Sequence, residues 1–569
     1  MFAHTVFSVL LNLLLILILT TFTTIEARVF PTPPDITEDN NYWISLSKNH
    51  LRRKLANSRP EEPTVARNVI IFVGDGMGMP TITAGRIYKG QKNSQSGEEG
   101  HVSFDLFPNI GLAKTYNTDK QVPDSAGTAT SLFSGIKTKY GYIGVDSSSN
   151  FANPSAGQVT SVMDWAQASG MRTGFVTTTR VTHATPACLY AHSPNRYWEC
   201  DSAIPNGVTS PTFKDIARQL VEEAPGKRFN VIMGGGREMM GVKEKQYEVN
   251  PVNINGTIEA PCARIDGRNL VQDWLDLSTN HSRRVFVKNT GQLLAIDTNK
   301  VDHLLGLFSQ NHMPYNLVRE RGASGTPSLT QMITQAIKIL DRDNSPGYIL
   351  MVEGGRIDHA HHANFAHSAL EEFVELDAAV ETAQNLTDPK ETLIIVTADH
   401  SHAMIFNGYG TRGNDILEFA NKAQVEPYET LTYANGPGFL SHRLNKSLED
   451  QGMSQTWSRV ELMSSAERED PFYRHLSTFP LDDATHAGED VPVYATGPAS
   501  HLVYGVFEQN YVAHLVGFST CIGPLKSLNE QCDTYKRLSR VNNEASSNHS
   551  KTVLSLILTL ALVAFLHGH

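Results

Sequence analysis

The chain has no surplus of positive charge. Its 48 Lys and Arg face 59 Asp and Glu, a formal net charge of -11 over 569 residues. No basic stripe interrupts that balance, so nucleic acid is not an expected partner. The short cluster Arg52-Arg53-Lys54 reads as the solvated face of a helix. Cysteine is scarce: there are five, an odd number, so at least one thiol stays unpaired even in an oxidising compartment. Cys188, Cys200 and Cys262 lack the spacing of a zinc site, and their pairing is left open. No internal repeat and no long low-complexity run breaks the chain. What remains is ordinary for a secreted α/β enzyme: 40% hydrophobic residues and length enough for a large core.

Both ends carry apolar signals. Residues 6–20 are strongly apolar and Glu26-Ala27-Arg28 follows, which reads as a signal peptide over 1–27. Near the other end, 553–566 form an apolar tail of about fourteen residues, too short for a comfortable membrane span. Ala545, Ser546 and Ser547 precede it across a short polar spacer. Small site, spacer and tail together read as a glycolipid (GPI) anchor signal over 546–569, removed on attachment. The expected location is the outer face of the plasma membrane. Sequons at Asn255, Asn280, Asn385 and Asn445 suggest surface glycans, and Asn548 falls in the expected tail.

The most informative stretch is Pro123-Asp124-Ser125-Ala126-Gly127-Thr128-Ala129-Thr130. It sets a lone serine where a turn leads into a helix, beside the positive end that attracts anions. Four further segments are rich in metal ligands: VGDGMG at 73–78, EGGRIDHAHH at 353–362, TADHSH at 397–402 and THAGED at 485–490. Apolar, β-branched runs at 67–73, 348–352 and 391–396 read as strands buried on both faces. They deliver Asp75, Glu353, Asp399 and His400 to strand carboxyl ends, where open α/β sheets gather ligands. Asp358 and His362 stand four apart, so one helical turn brings them to one face. A serine before a helix is commonly an N-cap, and a lone Asp after a strand commonly a turn residue. Their recurrence in five segments points instead to a polynuclear metal site around a nucleophilic serine.

The strings VGDGMG, PDSAGTAT, VTHATP, VEGGRIDHAHH, VTADHSH and THAGED resemble the alkaline phosphatases, the animal membrane-anchored type in particular, from about residue 42 to about 521. The resemblance implies an α/β fold with a large, mostly parallel central sheet flanked by helices on both faces. It implies one catalytic domain over 28–545, with an N-terminal helical arm at about 35–57 embracing the partner of a homodimer. A crown-like insert would lie at about 407–480, and Cys521 would pair with Cys532.

The resemblance also implies roles. Ser125 becomes a phosphoserine, and Arg196 grips the phosphate oxygens. Asp358, His362 and His486 hold one zinc. Asp75, Asp399 and His400 hold the second, together with the Ser125 oxygen. Asp75, Thr185 and Glu353 hold a magnesium, giving two Zn2+ and one Mg2+ per subunit. His183 and His359 lie inside the matched motifs and stand between a place around the magnesium and a structural role, outside the ligand set. The residue types suit this chemistry. Mixed His and carboxylate ligands fit zinc, and an all-oxygen set fits magnesium. A zinc pair can clamp the entering and leaving oxygens of an in-line displacement, and two successive inversions predict net retention at phosphorus. A guanidinium offers the bidentate fork that lysine lacks.

A calcium-type fourth site is not expected, because Ser309 and Thr326 stand where the resemblance puts acidic ligands. The expected function is hydrolysis of small phosphate monoesters. A phosphodiesterase or sulfatase on the same superfold, and an anchored receptor with a decayed site, are the alternatives. The former use different nucleophile motifs, and the complete ligand set argues against the latter.

Overall fold

The computed structural model describes residues 39–57, 63–207, 213–242, 262, 264–280, 282–342, 345–420, 429–442 and 465–534. The expected signal peptide and anchor signal lie outside the described residues, as do the sequons at Asn255, Asn445 and Asn548 and parts of the expected insert. Asn280 and Asn385 are described and exposed.

Fourteen strands are described. They are β1 (Asn68–Gly74), β2 (Asn109–Lys114), β3 (Arg172–Arg180), β4 (Val231–Gly235), β5 (Arg284–Val287), β6 (His303–Leu307), β7 (Tyr348–Gly354), β8 (Thr392–Ala398), β9 (Ser401–His402), β10 (Met404–Phe406), β11 (Leu431–Tyr433), β12 (His486–Ala487), β13 (Val491–Thr496) and β14 (Gly505–Glu508). Ten form one sheet in the order β14-β2-β13-β8-β1-β7-β3-β4-β6-β5. Only β13 runs antiparallel to its neighbours, β2 and β8. The three strands expected to carry the site lie side by side at the centre, and each is buried along its whole length. That is what helices on both faces of a parallel sheet demand, and it explains their near-continuous Val, Ile and Leu content. At the margin β2 alternates instead, with Ile110 and Leu112 exposed and Gly111 and Ala113 inward.

The register aligns the carboxyl ends. Val73 of β1 stands opposite Glu353 of β7 and Thr397 of β8, so Asp75, Glu353 and Asp399 emerge along one edge. The crossovers that keep these strands parallel are helical. Leu329–Leu340 leads into β7, opened by a capping box between Ser328 and Gln331, and Ala366–Leu386 joins β7 to β8.

The N-terminal helix runs Asn40–Asn57, and residues 35–38 of the expected arm lie outside the described residues. Trp43 and Leu51 are buried, and the Lys54 ammonium sits 3.7 Å from the Tyr504 ring centroid. Cys200 pairs with Cys262, closing the question left open by spacing, and Cys521 pairs with Cys532. Cys188 is the free thiol, buried 3.3 Å from the Ala126 carbonyl, and burial pushes it up to about 12.

Candidate metal centre

The site grows from the ends of β1, β7 and β8. Asp75 follows β1, and the chain then turns through Gly76, whose φ is 67°. A Cβ there would lie 3.0 Å from Asp358 Oδ1, so conformation and space both call for glycine. The short helix Arg356–His362 places Asp358 and His362 one turn apart, with Oδ2 and Nε2 at 3.1 Å. After β8, His400 Nε2 lies 3.1 Å from Asp399 Oδ2 and 3.6 Å from Asp75 Oδ1. The β9–β12 pair sets His402 opposite His486. His486 Nε2 then reaches 3.4 Å from Asp358 Oδ1, and its ring stacks on His400 with centroids 3.6 Å apart.

Four groups of ligand atoms result among the described residues, each within 4.8 Å of one another: Asp358, His362, His402 and His486; Asp75, Asp358 and His400; Asp75, His183 and Glu353; and a histidine trio taken up below. The first holds all three residues expected to share one zinc, plus His402. Asp399 adjoins the second, oriented by the Gly76 and His400 N–H groups on Oδ1 at 3.1 and 2.8 Å and by the Thr128 hydroxyl on Oδ2.

Ser125 opens the helix Ser125–Ser134, with Asp124 as N-cap accepting from the Gly127 N–H. Its Oγ lies 3.2 Å from His400 Nε2. Asp124 Oδ1 accepts from Asn117 Nδ2 and from the N–H groups of Gly127 and Gly141, at 3.0 to 3.2 Å. Its Oδ2 accepts from Arg196 Nη1 at 3.0 Å, so the cap that starts the serine helix also aims the guanidinium.

The electrostatics ask for cations. Burial pushes Asp75 well above the usual carboxylate range, reinforced by Asp358, Asp399 and Glu353. It lifts Glu353 to about 7, and Asp399, with Asp358 adding to it, to about 6. Burial would also raise Asp358, but His362 and His486 outweigh it and hold that carboxyl well below its ordinary value. Burial lowers His400 to about 4 and His486 to about 3, so both rings are neutral and free to ligate. Both Asp75 oxygens, Glu353 Oε1 and the Thr185 hydroxyl are buried without a hydrogen-bond partner. Native proteins rarely leave such atoms unmatched, and divalent ions would satisfy them. Each of the first three groups offers mixed His and carboxylate donors, and the Thr185 hydroxyl adds a further oxygen, a set that suits divalent ions.

Other residues entered without an assigned role. His402 sat inside the TADHSH motif, but only the β9–β12 pairing shows that it joins the Asp358 group. His183 and His359 form a second histidine cluster with His312, whose isolated place in the sequence carried no signal. Each ring faces a guanidinium: Arg196 at 3.2 Å from His183 Nε2, Arg180 at 2.6 Å from His312 Nε2 and Arg356 at 2.9 Å from His359 Nδ1. A guanidinium only donates, so those nitrogens offer lone pairs already engaged beside permanent positive charges. That wall suits an anion better than another dication. His361 bonds Thr81 and Tyr433 and is structural.

Comparison with known proteins gives the family. The alkaline phosphatase family pattern matches residues 66–522. Alkaline phosphatase 4 of Drosophila melanogaster is 49% identical over 549 residues, covering 93% of this chain and 91% of that protein. The human tissue-nonspecific alkaline phosphatase is 41% identical over 499 residues, 86% of this chain and 90% of that protein. Among solved structures, the alkaline phosphatase of the Antarctic bacterium TAB5 is similar at a TM-score of 0.53 and 23% identity, covering 81% of this chain and 100% of that one. The Thermus thermophilus alkaline phosphatase is similar at 0.55 and 21%, covering 80% and 92%. At those identities the two structures speak for the fold.

Proposed function

This chain belongs to the alkaline phosphatase family and is a phosphatase, and we propose that it is a zinc- and magnesium-dependent monoesterase acting through a phosphoserine at Ser125. One observation carries the reading: a hydroxyl at a helix N-terminus, a carboxylate-aimed guanidinium and four buried carboxylates meet at one sheet edge, with acidic oxygens left unmatched.

Asp358, His362 and His486 would hold one zinc. Asp75, Asp399, His400 and the Ser125 oxygen would hold the other, and Asp75, Thr185 and Glu353 a magnesium. When bound, the ions supply electrostatic stabilisation of the oxyanions that develop during displacement. The chain's own groups do the rest. Arg196 binds two non-bridging oxygens and orients the phosphorus toward Ser125. The helix N-terminus adds N–H groups near the anion. Ser125 Oγ bonds to phosphorus as the bond to the leaving oxygen breaks, giving the serine phosphate ester. Water then displaces Ser125 from phosphorus, and the two inversions give net retention.

The short apolar tail supports a glycolipid anchor at the outer cell surface, with the catalytic domain over 28–545. The N-terminal helix supports a homodimer in which it embraces the partner. The experiment is an assay of purified enzyme supplied with Zn2+ and Mg2+ against a chromogenic phosphomonoester, diester and sulfate ester, beside Ser125→Ala. Turnover of the monoester, lost in the folded and zinc-loaded variant, is expected. Preference for the diester or sulfate ester, or full activity of Ser125→Ala, overturns the reading.

A further inference from the structure

Two large aromatic side chains stand open to solvent beside Arg196. Tyr140 is 46% exposed and Tyr197 is 60% exposed. Single exposed rings are unremarkable on a protein surface. These two are set apart by what fixes them.

Both are tied to one carboxylate. Tyr197 follows Arg196, whose Nη1 donates to Asp124 Oδ2, and its ring centroid lies 5.9 Å from the Arg196 guanidinium carbon. Tyr140 precedes Gly141, whose N–H donates to Asp124 Oδ1 at 3.0 Å. Asp124 in turn caps the helix that begins with Ser125. The two segments are also pinned to each other: Ile143 and Ser193 exchange backbone hydrogen bonds of 2.8 Å in an isolated antiparallel bridge. Each tyrosine's own N–H is held, Tyr140 by Asp119 Oδ1 at 2.8 Å and Tyr197 by Asn195 Oδ1 at 2.9 Å. Behind Tyr197 the chain is anchored by buried Trp198, which packs on Phe151 and Phe213. Burial first and then Asp124 raise the Tyr140 phenol, and Arg196 opposes them.

We infer that Tyr140 and Tyr197 form an aromatic rim at the mouth of the phosphate pocket, and that the rim selects phosphate esters with a flat aromatic leaving group. The inference rests on the phosphatase reading above and names the substrate class that reading leaves open. A phosphate gripped by Arg196 lies beside the Tyr197 ring, 5.9 Å from the guanidinium carbon, and near the Tyr140 segment that shares Asp124, so an ester group large enough to reach that side of the mouth can meet the rings. An aryl or heteroaryl group can stack on one ring or meet it edge-on, whereas a small alkyl group has too little surface to do either. A well-placed aromatic contact contributes about three- to tenfold in binding. The backbone that carries each ring is already held, so engaging the ligand orders the side chain alone.

The test uses competitive inhibition by phenylphosphonate and methylphosphonate, which carry the two leaving-group shapes but cannot be hydrolysed. Metal-loaded wild type is compared with Tyr140→Ala, Tyr197→Ala, the double variant, and Tyr140→Phe and Tyr197→Phe. Each alanine is expected to weaken phenylphosphonate about three- to tenfold and the pair more, with methylphosphonate moving less than twofold. The Phe variants should keep most of the aryl preference, because they keep the ring. Alanine effects that are equal on the two phosphonates, or absent on both, overturn the inference. A wild-type enzyme that neither phosphonate inhibits and that hydrolyses no monoester would instead overturn the phosphatase reading.

Discussion

Asp124 links the proposed nucleophile to the proposed phosphate grip, and Asp124→Asn isolates that role. The substitution keeps shape. Three donors converge on Oδ1, from Asn117, Gly127 and Gly141, so an asparagine will turn its carbonyl oxygen toward them. Its amide NH2 must then face Arg196 Nη1, where Oδ2 accepts now at 3.0 Å. A charge-assisted hydrogen bond is replaced by two donors pointing at each other, and the guanidinium loses its carboxylate. A hydrogen bond to a charged group contributes about 1.5–3 kcal/mol. If that is the energy with which Asp124 holds Arg196 in its phosphate-binding pose, affinity for phosphate falls roughly 10- to 150-fold. The readout is the inhibition constant of inorganic phosphate, a product that binds without chemistry. Melting temperature and zinc content by elemental analysis serve as controls, since the cap at Ser125 survives through Oδ1. A folded, zinc-loaded Asp124→Asn enzyme whose phosphate inhibition constant stays within twofold of wild type would refute this account.

Glu372 offers a pH test away from the site. Buried at 3% exposure, it is lifted by burial from 4.5 to about 7. The folded state therefore binds more protons than the unfolded state between those values, and stability falls as pH rises from about 4.5 to about 7. The loss from this group is about 3 kcal/mol. Glu372→Gln, which can still accept the Asn316 N–H, should gain melting temperature relative to wild type as pH is raised through that window; a difference constant from pH 4.5 to 8 would contradict it. Phosphatidylinositol-specific phospholipase C should release the activity from intact membranes, and activity left in the pellet beside a released anchored control would reject the anchor. Calcium should be dispensable: the Ser309 hydroxyl donates to the Asn311 carbonyl at 2.6 Å, and Thr326 carries no charge. A calcium-selective chelator that spares zinc and magnesium is expected to leave activity and melting temperature alone, and an ordered calcium ion near Phe308 in a crystal would defeat the argument.

The central strands were legible because burial on both faces leaves an unbroken apolar run, and Asn68–Gly74, Tyr348–Gly354 and Thr392–Ala398 carry one. The Asp358–His362 contact was legible for a similar reason, since helical periodicity is local. What the sequence hid was set by long-range pairing. His402 joins the Asp358 group only through the two-residue pairing of β9 with β12, too short to leave a pattern. His312 reaches His183 and His359 from the loop after β6, with no motif around it. The Cys200–Cys262 bond needed the path of a chain segment that spacing alone does not give. Asp124 had no role assigned from the sequence, because its hold on Arg196 depends on where a distant loop returns.

Asp75 leaves the ribosome early and His486 near the end, yet both belong to one proposed metal centre. No chain can assemble that centre before its last strands have been made. Until β12 has found β9, the Asp358 group lacks His486. An ion at the Asp358 group would then depend on that short pairing, since a molecule with it wrong lacks His486 where Asp358 needs it. Ions that bind only the finished state pull the equilibrium toward it in proportion to the logarithm of their free concentration. Supply of zinc and magnesium during maturation would then govern how many molecules reach the native state, as well as how fast each one works.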